Sequence, residues 1–285
     1  MELLRRKTEI SHFFRSVGSV VRHGVLLLLA LVVSGPLLWM MLSSFKGIEE
    51  LWAYPPTFFP HQPTVSGFET IFRLMPFARY FFNSAVISVS ATALVILTSS
   101  LAGYVFAKIG FRGRNILFIV VLGSMMIPGQ VTVIQNFVTL RFLGWINTYS
   151  GLIIPQGISV FGIFLMRQFM HSIPDDYMDA ARIDGLSESR IFSSIVLPLN
   201  TTAIATVAIF GFRGTWDNLL WPLIMTSGDK MRTLPVGIAG LATVHSPEMQ
   251  LLLPAATISV VPTLIVFAIF QRQFVEGAAA SGLKM

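Results

Sequence analysis

A short polar segment between two long apolar stretches carries the residues best suited to specific chemistry. It reads Asp179-Ala180-Ala181-Arg182-Ile183-Asp184-Gly185, and nine residues later comes Ile195-Val196-Leu197-Pro198. Ser172 is able to cap a helix, the paired acids that follow Pro174 complement the positive end of a helix dipole, and Gly185 suits the left-handed position that ends a helix. The sequence therefore predicts a helix of about three turns from Pro174 to Gly185.

The residue types in this segment are suited to docking rather than to catalysis. A helix this short is not stable alone in water, so flanking segments or another chain must hold it. Ala180 and Ala181 carry little bulk, which lets a facing surface approach the backbone, and Tyr177 lies on the same side, three and four residues away. These features predict a helix that binds in the groove of a partner. An ordinary solvated loop with good caps is the alternative that the helix signals alone leave open.

Signatures of catalysis and of metal binding are absent from the sequence. It contains no Gly-Lys dipeptide, and hence no glycine-rich loop of the kind that cradles ATP phosphates. The five histidines show no metal-ligand spacing, and there is no cysteine to form a disulfide or a thiolate. We expect a non-catalytic chain without cofactor or metal. If it works with ATP, hydrolysis must occur on another polypeptide.

The composition is that of a membrane protein. Hydrophobic residues make up 54% of the 285 residues and charged residues only 12%, and the mean hydropathy is +0.72. These values exclude an ordinary soluble domain. Six uncharged stretches are each long enough to cross a bilayer, which needs about 20 residues, and helices satisfy the backbone in lipid. The sequence thus predicts a single all-α domain with a tail at 1–22, a polar loop at 172–198 and spans at about 24–45, 81–107, 115–137, 149–171, 199–221 and 251–272.

The distribution of basic residues predicts the orientation. Thirteen of the 20 Lys and Arg residues lie in the N-terminal tail, the loop after the second span, the fourth loop counted from Arg167, and the C-terminal tail counted from Arg272, against six on the opposite side. The positive-inside rule then places both termini and the polar loop in the cytoplasm. The N-terminal tail is too long and too charged for a simple signal peptide, so we expect a retained first helix.

Polar residues inside the spans are the candidates for a path across the membrane. Arg213 and Asp217 are four residues apart on one helix face and could form an ion pair, either as a structural pair near the outer interface or in contact with a polar solute. Pro128 and Gly129 predict a helix break, which is tolerated at membrane depth only where it is buried or lines a cavity. The path candidates are Asn83, Gln130, Gln135, Asn136, Arg213, Asp217 and Asn218. Two proline residues, Pro254 and Pro262, predict an interrupted sixth span.

With these residues in place, the chain resembles the permease subunits of carbohydrate-type, maltose-like ABC importers. The polar segment is similar to the "EAA" loop of that family, with Asp179 in place of the commoner glutamate. Further similar segments are Phe82-Asn83-Ser84, Met125-Met126-Ile127-Pro128, Asn147-Thr148-Tyr149-Ser150-Gly151-Leu152, Phe164-Leu165-Met166-Arg167-Gln168-Phe169 and Thr233-Leu234-Pro235-Val236-Gly237. Arg213, Trp216-Asp217-Asn218 and the tail after Phe274 depart from the family pattern.

The resemblance implies a type I importer fold in a bacterial inner membrane and a set of partners. These are a homologous second permease, two ATP-binding cassette ATPases, an extracytoplasmic solute-binding protein and a sugar or oligosaccharide substrate. The residues implied in ATPase coupling are Tyr177, Asp179, Ala180, Ala181, Arg182, Asp184, Gly185, Leu197 and Pro198. A phosphorylated polyol or another small solute is an alternative substrate. An ATP-independent transporter is more remote, because the chain shows no inverted repeat.

Overall fold

The computed structural model describes residues 2–244 and 249–282, and these residues form helices and turns with no β-strand. The all-α prediction is confirmed. In chain order the helices are α1 (Glu2–Ser43), α2 (Ile48–Leu51), α3 (Ser66–Leu74), α4 (Phe77–Lys108), α5 (Arg114–Gly123), α6 (Gly129–Phe142), α7 (Tyr149–Ile153), α8 (Val160–His171), α9 (Asp176–Ile183), α10 (Glu188–Ile191), α11 (Leu197–Leu199), α12 (Thr201–Trp216), α13 (Leu220–Met225), α14 (Leu234–Val244) and α15 (Met249–Gly282). Lys284 and the rest of the tail beyond Gly282 lie outside the described residues.

Long apolar helices account for the predicted spans. Three described helical segments can cross a membrane unaided: Gly18–Ser43 within α1, the whole of α4, and Met249–Phe274 within α15. Three more spans arise if each bent helix pair counts as one. The pairs are Arg114–Met126 with Gly129–Phe142 (96°), Tyr149–Gln156 with Val160–His171 (43°), and Glu188–Leu199 with Thr201–Trp216 (80°). Counted in this way, the described residues contain six spans.

A proline lies at or near each of the three bends, but other prolines lie within a continuous helix. Pro128 is the extended residue that precedes α6, as the sequence predicted, and Pro155 lies in a 3₁₀ turn before α8. The prediction that Pro254 and Pro262 interrupt the last span is wrong, because α15 is continuous from Met249 to Gly282. A proline removes one backbone hydrogen bond, and in an apolar environment the remaining peptide groups have no better partner than the helix itself.

The chain divides into two compact units. The first contains the described residues of Met1–Thr70 and Glu248–Thr257. Here most apolar side chains of α1 from Val20 to Leu38 are exposed, and the segment after α1 forms α2 and a series of bends. Buried Lys46 donates a hydrogen bond to the carbonyl of Thr57 and lies 5.7 Å from the centre of the Trp39 ring. The carboxylate of Glu50 accepts hydrogen bonds from Thr57 Oγ1 (2.8 Å) and from the backbone of His61 (3.0 Å).

The second unit contains the described residues of Ile71–Pro247 and Ile258–Met285, and its centre is α4. α4 packs directly against α8 and α12. Small residues permit the close approach: a Cβ added at Gly103 of α4 would lie 2.6 Å from Cβ of Met166 in α8, and one added at Gly162 would lie 2.4 Å from Ser99 Oγ. Membrane helices that pack this closely commonly use glycine, alanine and serine. This packing holds the segment between α8 and α12 against the end of α4.

Candidate functional site

The loop between α8 and α12 contains the short helix α9. It has eight residues and therefore about two turns, not the three that the sequence predicted. The predicted cap Ser172 instead ends α8, where its hydroxyl donates to the carbonyl of Phe169 (2.7 Å), so the loop helix begins later. Its end agrees with the prediction, since Gly185 has a φ of +81°. Glycine adopts this conformation most readily, because it has no Cβ.

The two faces of α9 have different roles. Met178 and Ala181 are buried in an apolar cluster that includes Met166, Met170 and Ile191. The prediction that Ala181 faces a partner is therefore corrected: its small side chain permits close packing on the bundle. On the opposite face lie the exposed residues Tyr177, Ala180, Ile183 and Asp184, which we call the outer face of α9.

Ile183 was not among the residues selected from the sequence. It is 86% exposed, which is unusual for an isoleucine on a short polar helix. The available signal was its spacing, because it lies three residues after Ala180 and six after Tyr177. Ile183 therefore adds a large exposed apolar side chain to the outer face of α9, beside Ala180.

A buried lysine ties the start of this loop to α4. Lys108, the last residue of α4, has a side chain only 4% exposed, and its Nζ donates to Asp175 Oδ1 (2.6 Å) and to the carbonyl of Ile173 (2.5 Å). The hydrogen bond from Lys108 lowers the pKa of the Asp175 carboxyl below its ordinary value. The contact therefore stabilises the fold fully when the pH is above the ordinary pKa of an aspartate. This stabilisation is lost as the pH falls through the lowered pKa of Asp175.

A second link joins the other end of α9 to the same helix. Tyr104 of α4 donates from its hydroxyl to Glu188 Oε2 (2.6 Å), and Arg182 Nε donates to Glu188 Oε1 (2.8 Å). Arg182 also donates to Asp179 Oδ1 (2.7 Å). Its hydrogen bond with Glu188 raises the pKa of the Arg182 guanidinium. Asp179 and Arg182, both predicted as coupling residues, therefore form a chain of charges that connects α9 to α4.

The other predicted coupling residues lie where the loop returns to the bundle. Leu197 packs against the same apolar cluster that buries Met178. Pro198 lies in α11, just before the 80° bend that leads into α12. The bend is stabilised by buried Asn200, whose Nδ2 donates to the carbonyl of Val196 (2.7 Å). These residues connect the loop mechanically to the fifth span.

One predicted path residue, Asn83, is held by hydrogen bonds inside the helix bundle. Asn83 is buried, and its Nδ2 donates to the carbonyls of Lys230 (3.1 Å) and Arg232 (2.8 Å), while its Oδ1 accepts from the hydroxyl of Tyr149 (2.8 Å). These bonds satisfy the amide and tie α4 to two other segments. The amide of Asn83 is thus engaged in packing contacts within the second unit.

All of the remaining path candidates except Gln135 line one of two cavities. Gln130 and Asn218 line one cavity of about 360 Å³ together with Asn136 and with Gln156, which was not selected from the sequence. Gln135, adjacent to Asn136 on α6, is exposed but does not line it. Arg213 and Asp217 line a larger, mainly apolar cavity of about 460 Å³ between α12 and α15. Their ion pair is present at 3.5 Å with both side chains more than half exposed, so it contributes little stability.

Comparison with known proteins identifies the family. Residues 95–279 match the family described as "Binding-protein-dependent transport system inner membrane component". The chain belongs to this family. It is 36% identical to the arabinooligosaccharides transport system permease protein of Halalkalibacterium halodurans, over 90% of this chain and 93% of that protein. It is 31% identical to the lactose transport system permease protein of Rhizobium radiobacter, over 94% and 97%.

The fold agrees with this assignment. A crystal structure of a bacterial ABC transporter that imports the acidic polysaccharide alginate contains a chain similar to this one, with a TM-score of 0.77 and 20% identity. The match covers 90% of this chain and 96% of that chain. The protein is therefore a multi-pass membrane permease with the type I ABC importer fold, as the sequence predicted.

Proposed function

We propose that this permease imports a sugar or oligosaccharide with energy from ATP hydrolysed on a separate ATPase. It would form half of the translocation path, with a second permease as the other half, and receive solute from an extracytoplasmic binding protein. The names of its relatives support a saccharide as substrate. In this proposal both termini and α9 lie in the cytoplasm, as the positive-inside rule indicates.

The observation that carries the proposal is the construction of α9. Its outer face presents Tyr177, Ala180 and Ile183 to solvent, while Lys108 and Tyr104 attach the segments at the two ends of α9 to α4. A groove on the ATPase that binds the outer face could therefore move α9 and α4 together. Closure of an ATPase dimer would then rock the attached spans as rigid elements and open the path to alternate sides.

The docking role is tested by replacing Ile183 with Ser. Because this side chain is exposed, the permease should fold normally. Burial in a partner groove would contribute about 1.5–3 kcal/mol, so ATPase binding should weaken by about 10- to 140-fold. Val65→Ser, another exposed apolar position on the opposite side of the membrane in this topology, is the matched control. Co-purification of the ATPase and uptake into proteoliposomes are measured for both variants. Equal retention of the ATPase by I183S and V65S would contradict docking through α9.

The absence of cysteine gives a direct test of orientation. In intact cells, a membrane-impermeant thiol reagent should label Val65→Cys and leave Ile183→Cys unlabelled until the cells are opened. The reverse pattern would place α9 outside and refute the proposal.

Substrate class is tested by uptake of arabinobiose, lactose, maltose and glycerol 3-phosphate, of which the neutral saccharides are expected to be transported.

A further inference from the structure

Three breaks in helical backbone meet at one cavity of the second unit. The cavity of about 360 Å³ is lined by Gly129 and Gln130 after the break at Pro128, by Pro155 and Gln156 in the turn before α8, and by Asn218 between α12 and α13. Non-helical backbone in a membrane is tolerated where it lines a cavity, and such discontinuities are typical of solute sites in transporters. The volume falls within the usual range of about 300–1,000 Å³ for small-molecule sites.

The polar groups of this cavity are uncharged. Four carboxamides line it, those of Gln130, Asn136, Gln156 and Asn218, and none of its ten lining residues, all of them described, is ionisable. Phosphate and carboxylate ligands are recognised by arginine or lysine, usually in pairs of charged hydrogen bonds. The ion pair of Arg213 and Asp217 lines the other cavity. The amide cavity therefore offers no cationic side chain to an anion.

The amides are oriented but not saturated. Asn218 Nδ2 donates to Gln156 Oε1 (3.0 Å), Asn218 Oδ1 accepts from the backbone of Trp221 (3.1 Å), and Gln156 Nε2 donates to the carbonyl of Leu152 (2.6 Å). Each of these two amides keeps one N–H and at least one lone pair free. The carboxamides of Gln130 and Asn136 make no hydrogen bond to the described part of the chain. The site thus offers both donors and acceptors, which is what a hydroxyl group requires.

An apolar wall completes the cavity. Trp221 is 8% exposed, packs in a buried apolar cluster and donates its indole N–H to the carbonyl of Gly151 (3.2 Å), so only a small part of its surface reaches the cavity. Val133 and Leu220 lie beside it. Sugar rings combine hydroxyl edges with C–H faces, and a mixed lining of amides and apolar side chains suits both.

We infer that this amide cavity is a subsite for one unit of an uncharged saccharide on the translocation path. The inference rests on the proposed function and extends it by assigning the substrate contact to Gln130, Asn136, Gln156 and Asn218. Neutral hydrogen bonds also suit a transient site, because a solute that crosses a membrane must leave each site as readily as it enters.

A pair of adjacent cysteine substitutions tests the subsite. Asn136→Cys places a thiol in the lining, whereas Gln135→Cys places one on the same helix but outside it. Each variant importer is reconstituted with its partners and labelled with methyl methanethiosulfonate, with and without the saccharide that the uptake panel identifies. Labelling of N136C should slow about ten-fold at ten times the half-saturating concentration, while Q135C should be unaffected. Glycerol 3-phosphate should protect neither.

The outcomes separate the two proposals. Uptake of a neutral saccharide without protection of N136C, or with equal protection of Q135C, overturns the subsite and leaves the importer function standing. An N136C thiol that does not react in the absence of sugar also overturns it, because the cavity would be inaccessible. An importer that carries only glycerol 3-phosphate, or nothing in the panel, refutes the proposed substrate class and the subsite together.

Discussion

Replacing Tyr104 with Phe removes one hydroxyl from the link between α4 and the loop that carries α9. A hydrogen bond to a charged acceptor contributes about 1.5–3 kcal/mol. Glu188 is 48% exposed, so water replaces part of the lost bond, and we expect a cost of about 1–1.5 kcal/mol. The ring packs against Phe192 with centroids 5.3 Å apart, and phenylalanine keeps that contact. The attachment of the loop should therefore weaken by about 5- to 12-fold.

The same helix provides a matched control. Tyr80 lies at the opposite end of α4, is also buried, and donates from its hydroxyl to Asp229 Oδ1 (2.5 Å), which is 58% exposed. Asp229 also accepts a hydrogen bond from Arg232 (3.3 Å), just as Glu188 does from Arg182. Tyr80→Phe thus removes an equivalent bond on the side remote from α9.

The assay measures two quantities for each variant: its thermal stability and the amount of solute taken up per ATP hydrolysed. Both variants should lose a similar amount of thermal stability as purified complexes. Only Tyr104→Phe should lower the amount of solute taken up per ATP hydrolysed in proteoliposomes. Tyr104 bonds to the loop that carries α9, whereas Tyr80 bonds to Asp229 at the other end of α4. If the two variants lower this ratio equally, or if Y104F leaves it unchanged, α4 does not transmit the motion of α9 through this hydroxyl and the reasoning is refuted.

Two glycine predictions concern strain and packing. Gly185→Ala and Gly228→Ala should each lower the free energy of unfolding by about 1–2 kcal/mol, because both glycines have a positive φ (+81° and +66°) with no neighbouring atoms within 4 Å of an added Cβ. Only G185A should reduce solute uptake per ATP hydrolysed. Equal effects of the two variants on uptake would argue against a special role for the end of α9. Gly103→Ala should lower the melting temperature by overpacking against Met166, at a cost of about 1–3 kcal/mol, whereas Gly214→Ala, which meets nothing within 4 Å, should not. Indistinguishable melting curves for G103A and G214A would show that α4 and α8 separate at no cost.

Local sequence was sufficient for the long apolar helices and for the existence of a short helix in the loop before the fifth span. Long uncharged stretches permit only helices in lipid, and a glycine after a polar helix predicts the left-handed end found at Gly185. The break at Pro128 was also predictable, since a proline followed by glycine disfavours a continuous helix. In contrast, Pro254 and Pro262 led to a wrong prediction of a break in α15. An apolar environment favours an intact helix even where a proline removes one hydrogen bond.

Contacts between distant residues determined the rest. Burial of Ala181 and exposure of Ile183 depend on how α9 rotates onto the apolar cluster beside α8. Tyr104 meets Glu188 across 84 residues, and Asn218 meets Gln156 across 62. A side chain's sequence neighbours specify its helix, but only the packing of one helix on another specifies which cavity or partner that side chain faces.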